Sequence, residues 1–111
     1  MERVLAVLRE KGWDEDYELI FSTSHLLEMT VKGATKGGMV RRLAKRMGIA
    51  MEHVYCVGDE TNDISMLTVA AQGFAPANCT EPVRACGATI VADAEHDALA
   101  EVISILDQRY A

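Results

Sequence analysis

Cysteine, histidine, proline and positive charge are all scarce in this 111-residue chain, and each scarcity removes a class of protein. Cys56, Cys79 and Cys86 form an odd set with no Cys-x-x-Cys pair, which argues against a disulfide framework and a thiolate zinc site. On one helix Cys79 and Cys86 would lie roughly 10 Å apart along the axis, too far to bridge. Free thiols in or near the core are expected instead. His25, His53 and His96 are scattered without ligand spacing, so a histidine metal centre is not indicated. Only 2 prolines and 8 glycines accompany 50% apolar and 25% charged residues, a balance that excludes disordered, collagenous and low-complexity classes. Eleven basic residues against 17 acidic ones leave a net charge of −6, which argues against nucleic acid or an anionic membrane as partner. No apolar run approaches the roughly 20 residues that span a bilayer, and Met1-Glu2-Arg3 opens without a signal-peptide core. The expectation is a soluble, cytosolic chain with one modest core.

What is present is a change of rhythm. Residues 2–11 carry Val4, Leu5 and Leu8 at helical spacing and stop at Gly12. After the polar turn Asp14-Glu15-Asp16, the runs Tyr17–Ser22 and His25–Val31 predict a hairpin. Trp13 is expected to pack the first helix. Val40, Leu43, Ala44 and Met47 then form an i, i+3, i+4, i+7 stripe ending at Gly48. His53–Val57 predicts a short strand buried on both faces, followed by a helix over Asn62–Ala71 and a strand at Gly73–Ala75. A helix near Glu81–Cys86, a strand at Thr89–Val91 and a helix over His96–Arg109 complete the series. Strand and helix alternate from residue 37 onward, which predicts an open, mainly parallel α/β sheet.

In such sheets ligands bind beyond the carboxyl ends of the strands. Gly58-Asp59-Glu60-Thr61-Asn62-Asp63 occupies that place, between a buried strand and a helix. Asp59 and Asp63 would converge in a tightly coiled turn, and a hard cation such as Mg²⁺ would relieve their repulsion. The alternative at this point is that Asp59 only caps the helix. Lys36, in Gly33-Ala34-Thr35-Lys36-Gly37-Gly38, precedes the Val40 helix, where its charge opposes the helix dipole. An anion there would meet both the ammonium and free backbone N–H groups; the alternative is an exposed lysine in a flexible loop. Arg41, Arg42, Lys45 and Arg46 read as a solvated helix face, and Tyr55 as core.

Gly33-Ala34-Thr35-Lys36-Gly37, followed by Gly58-Asp59-Glu60-Thr61-Asn62-Asp63-Ile64-Ser65-Met66-Leu67, resembles the C-terminal part of a haloacid dehalogenase superfamily phosphatase of the Cof type. Ala75-Pro76-Ala77-Asn78, Val83–Gly87 and Thr89-Ile90-Val91 are similar to its closing segments. The resemblance implies half of a Rossmann-like, three-layer core over 32–111, preceded at 1–31 by the tail of a cap domain. It implies a Mg²⁺-dependent phosphatase acting on a small phosphorylated metabolite of the sugar-phosphate kind through an aspartyl-phosphate. Lys36 would offset charge on the phosphate, Asp59 and Asp63 would hold Mg²⁺, and Asn62 would position the lysine or the phosphate. Such a reaction depends on placement and charge stabilisation.

The family's attacking aspartate lies in Asp-x-Asp-Gly-Thr, which no segment here matches. Asp14-Glu15-Asp16 imitates the spacing but reads as a surface turn, and Ser22 and Ser24 do not form the family's phosphate-contacting Ser/Thr motif. The expectation is therefore a C-terminal hydrolase fragment, inactive alone, with a non-catalytic binding module as the alternative. In the family's sheet, the strand ending at Gly58 lies beside the nucleophile strand. Without that neighbour Val54–Val57 is an apolar edge, and self-association through it is predicted.

Overall fold

The computed structural model describes residues 2–111. A first helix, α1 (Glu2–Glu10), is followed by a 3₁₀ turn at Trp13–Glu15 and two strands, β1 (Tyr17–Thr23) and β2 (Leu26–Val31). These strands form the predicted antiparallel hairpin, running from Tyr17 opposite Val31 to Thr23 opposite Leu26, with a shift in register after Phe21. None of the residues of α1 is buried. Trp13 remains 44% exposed and lies against the Tyr17 ring, centroids 6.2 Å apart.

The remainder is an α/β layer structure. Strands β3 (Tyr55–Val57), β4 (Gln72–Pro76) and β5 (Thr89–Val91) make one sheet in the order β3-β4-β5. Both pairings are parallel, with Cys56 beside Gly73 and Ala75 beside Ile90. Helix α2 (Lys36–Met47) leads into β3, α3 (Ile64–Val69) and α4 (Glu81–Arg84) connect the strands, and α5 (Ala98–Arg109) closes the series.

Strand periodicity explains the layers. Successive side chains point to opposite faces. Cys56 and Ala75 therefore join Leu67, Cys79 and Val83 under α2, α3 and α4. Phe74, Tyr55 and Val57 join Val91, Ala98 and Val102 on the α5 face. All three cysteines are free. Phe74 and Val83 are wholly buried, one on each side of the sheet.

Several element ends differ from the sequence expectation. The third strand begins at Tyr55 because His53 and Val54 are drawn into a 3₁₀ turn, their N–H groups donating to Ala50 and Met51 carbonyls. The helix expected from Asn62 begins as a 3₁₀ turn (Thr61–Asp63) and becomes α-helical only at Ile64. The last helix starts at Ala98, since Asp97 sits in the left-handed region at φ 64° and interrupts the path from His96. The α2 stripe is only half covered. Val40 and Ala44 pack inward, whereas Leu43 and Met47 are 58% and 62% exposed because no element among the described residues lies over them. Arg41, Arg42, Lys45 and Arg46 are exposed, as expected. No helix among the described residues is long and apolar enough to cross a membrane.

Candidate active site

Two helix starts meet at the carboxyl end of β3. Lys36 opens α2, and the preceding Thr35 is its N-cap: the Thr35 hydroxyl accepts from the Gly38 N–H at 2.9 Å. Lys36 is thus anchored on a capped helix and is not part of a flexible loop. The Gly37 N–H is also taken, by Ser65 Oγ at 2.9 Å. The free N–H groups expected at this corner are therefore partly spent within the chain, and an anion here would meet chiefly the ammonium.

The acid that meets Lys36 is Asp63. Its Oδ1 accepts from Lys36 Nζ in a close ion pair, and its Oδ2 accepts from the N–H groups of Asp59 and Glu60, both at 3.0 Å. Asp63 and Glu60 form a reciprocal capping box around the 3₁₀ turn. Capping thus falls to these two residues, and not to Asp59. Burial pushes the Asp63 carboxyl up. The Lys36 hydrogen bond, the Glu60 and Asp59 N–H donors and the lysine charge outweigh it, holding the group below the ordinary carboxylate range. Asp63 is therefore ionised at neutral pH with its side chain only 6% exposed.

Glycine permits this approach. A Cβ on Gly58 would stand 2.4 Å from Asp63 Cβ and 2.8 Å from its Cγ, so the β3 end can pass Asp63 only without a side chain. Gly37 does the same for the helix pair, where a Cβ would lie 2.3 Å from the Ser65 carbonyl oxygen.

Asp59 points a different way. It is exposed, its carboxylate makes no hydrogen bond among the described residues, and it lines a cleft of about 410 Å³ with Val57, Gly58, Pro76, Asp97 and Ala98. The two acids four residues apart thus separate into an internal anchor and a free carboxylate. Asn62 is half-buried on the same turn, and the ammonium is held by Asp63 without it. No cluster of three or more His, Cys, Asp or Glu suited to a metal ion occurs among the described residues.

Asp14 and Glu15 belong to the 3₁₀ turn before β1, with Asp16 at its end, and the Asp14 carbonyl accepts from Lys32 Nζ at 2.9 Å. Ser24 hydrogen-bonds to its neighbour His25. Ser65 is the residue that sequence reasoning passed over: its contact with Gly37 spans 28 positions and leaves no local signal. Thr35 did carry one, a hydroxyl residue immediately before a helical stripe.

Residues 6–103 match the family of haloacid dehalogenase-like hydrolases. A phosphatase of Bacillus subtilis, YwpJ, is 39% identical over 80 residues, covering 68% of this chain and 28% of that protein. Among solved structures, a haloacid dehalogenase-like hydrolase from B. subtilis superposes with a TM-score of 0.82 at 30% identity, covering 93% of this chain and 36% of the other. A sugar phosphatase of haloacid dehalogenase subclass IIB superposes with a TM-score of 0.78 at 27% identity, covering 88% and 40%. The chain spans about 28% of YwpJ and between 36% and 40% of these two solved relatives.

Proposed function

The chain belongs to the haloacid dehalogenase-like hydrolases, and from that premise we propose that it supplies the lysine and metal side of a phosphatase centre for a small, sugar-phosphate-like metabolite. The observation that carries this reading is the Lys36–Asp63 pair held at the carboxyl end of β3 beside the unengaged Asp59. The sugar-phosphate class is supported by the likeness to a subclass IIB sugar phosphatase.

An ammonium has three donors. One is given to Asp63, and the Lys36 side chain is 49% exposed, which leaves donors for phosphoryl oxygens. Because Asp63 stays ionised, it fixes the ammonium in one place. Such a preset cation stabilises charge that develops during phosphoryl transfer without having to reorganise.

The residues fit Mg²⁺ in a limited sense. Mg²⁺ commonly takes one or two carboxylates and keeps several waters. Asp59 offers free oxygens, while both Asp63 oxygens are already engaged. Asp59 would hold the ion directly, and Asp63 would act behind it by ordering the Asp59 and Glu60 backbone. When bound, the ion would neutralise phosphate charge. None of the 111 residues matches the attacking Asp-x-Asp-Gly-Thr motif, so this chain's own part is binding and charge stabilisation.

The test is a Mg²⁺ titration followed by NMR, with and without inorganic phosphate. The expected result is a saturable response at Gly58–Asp63 that is lost in Asp59→Asn, and a phosphate response at Lys36. No response at Asp59 would refute the metal assignment. Robust Mg²⁺-dependent hydrolysis of a generic phosphoester by the isolated chain would refute the limited role given to it. A response to neither ion would favour a non-catalytic binding module.

A further inference from the structure

We infer that Ser65 is a positioning residue for Lys36, acting through the Gly37 backbone; the functional meaning of this role rests on the reading of Lys36 given above. Lys36 is the first residue of α2, and the inward-facing Val40 and Ala44 lie further along that helix than its first turn. The turn is located instead by α3. Ser65 Oγ accepts from the Gly37 N–H at 2.9 Å, so the peptide immediately after Lys36 is tied to the second residue after Asp63.

The two backbones also touch directly. The place where a Gly37 Cβ would stand is 2.3 Å from the Ser65 carbonyl oxygen and 3.1 Å from the Met66 nitrogen. Ser65 thus meets Gly37 twice, with its hydroxyl and with its main chain. The two partners of the ion pair are each adjacent to one side of this contact: Lys36 precedes Gly37, and Asp63 lies two residues before Ser65. A lysine side chain is long and has several rotamers, so an ammonium held by its carboxylate alone would gain from a base that does not move. The hydroxyl provides that base, and it also satisfies a buried N–H at a helix start that would otherwise lack a partner.

The experiment records exchange of the Lys36 ammonium protons by ¹⁵N NMR, with no phosphate or metal present. It can therefore fail while the phosphate and metal response stands, and the converse holds as well. Ser65→Ala is expected to accelerate that exchange about five- to tenfold, the factor associated with loss of one ordinary hydrogen bond. Ser65→Thr, which keeps the hydroxyl, is expected to restore the wild-type rate.

Thr68→Ala is the control for a general loosening of α3, since among the described residues the Thr68 hydroxyl bonds the Ile64 and Ser65 carbonyls of its own helix. It is expected to leave the Lys36 rate unchanged. The inference is overturned if Ser65→Ala leaves the rate alone, or if Thr68→Ala accelerates it equally. Should Ser65→Ala fail to fold, wild-type exchange of the Gly37 amide decides: protection is expected, and exchange at the rate of an unprotected amide overturns the role.

Discussion

Replacing Gly58 by alanine tests the geometry of the site with one added carbon. The new Cβ would begin 2.4 Å from Asp63 Cβ and 2.9 Å from Asp63 Oδ2. Carbon atoms rest at about 3.5–4.0 Å, so the two segments must separate by somewhat more than about 1 Å. The bonds from Asp59 N and Glu60 N to Asp63 Oδ2 are both 3.0 Å long, and such a movement takes them beyond hydrogen-bonding range. Hydrogen bonds to a charged group contribute about 1.5–3 kcal/mol each. Allowing the backbone to absorb part of the displacement, the expected loss is about 3 kcal/mol. That is a large part of the stability of a small domain, about 5–15 kcal/mol. Urea denaturation followed by circular dichroism measures it as a fall in midpoint at unchanged slope. An unfolding free energy within about 0.5 kcal/mol of wild type, the range usual for a neutral surface change, would show that β3 does not pass Asp63 as described.

Acid should weaken the fold through the same carboxylate. The folded Asp63 titrates below its ordinary value, so its stabilising contribution is complete above about pH 4 and is lost as pH falls through the folded value. Lys36→Met should flatten that part of the stability–pH profile. Asp93, whose carboxyl the His96 hydrogen bond also holds low, is present in both proteins and cancels in the comparison. An unaltered difference between pH 5 and pH 2 would refute the assignment. At high concentration the chain is expected to form dimers through β3, which has no neighbour on the side away from β4 among the described residues. Exposed Leu43 and Met47 line a cleft with Tyr55 of that strand, and exposed Leu99 lines one with Val57. A strictly monomeric mass by light scattering would exclude this pairing.

The alternation of β3, α3, β4, α4, β5 and α5 was legible because each strand is a short apolar run and each helix follows a turn signal. The ends were less legible. Nothing in His53-Val54 distinguishes the last residues of a turn from the first of a strand, since both bonding patterns use the same N–H groups. The charged residues show a similar limit. Asp59 and Asp63 are equivalent as sequence, and only the coiling of Thr61–Asp63 decides that the second turns inward while the first stays exposed. The role of Gly58 depends on an atom that would exist only after substitution, so it becomes visible once Asp63 has a position.

The contact of Gly37 with Ser65 has a mechanical consequence. Where helices meet through long side chains, rotamer changes can act as a bearing and let the rods slide. Here main chain rests on main chain, with no such layer between them. The cation on one rod and the anion on the other should then travel as one rigid body during thermal motion. Any hinge in the molecule would have to lie elsewhere, such as the Lys32-Gly33 bend after β2, and its swing would carry the charge pair along intact.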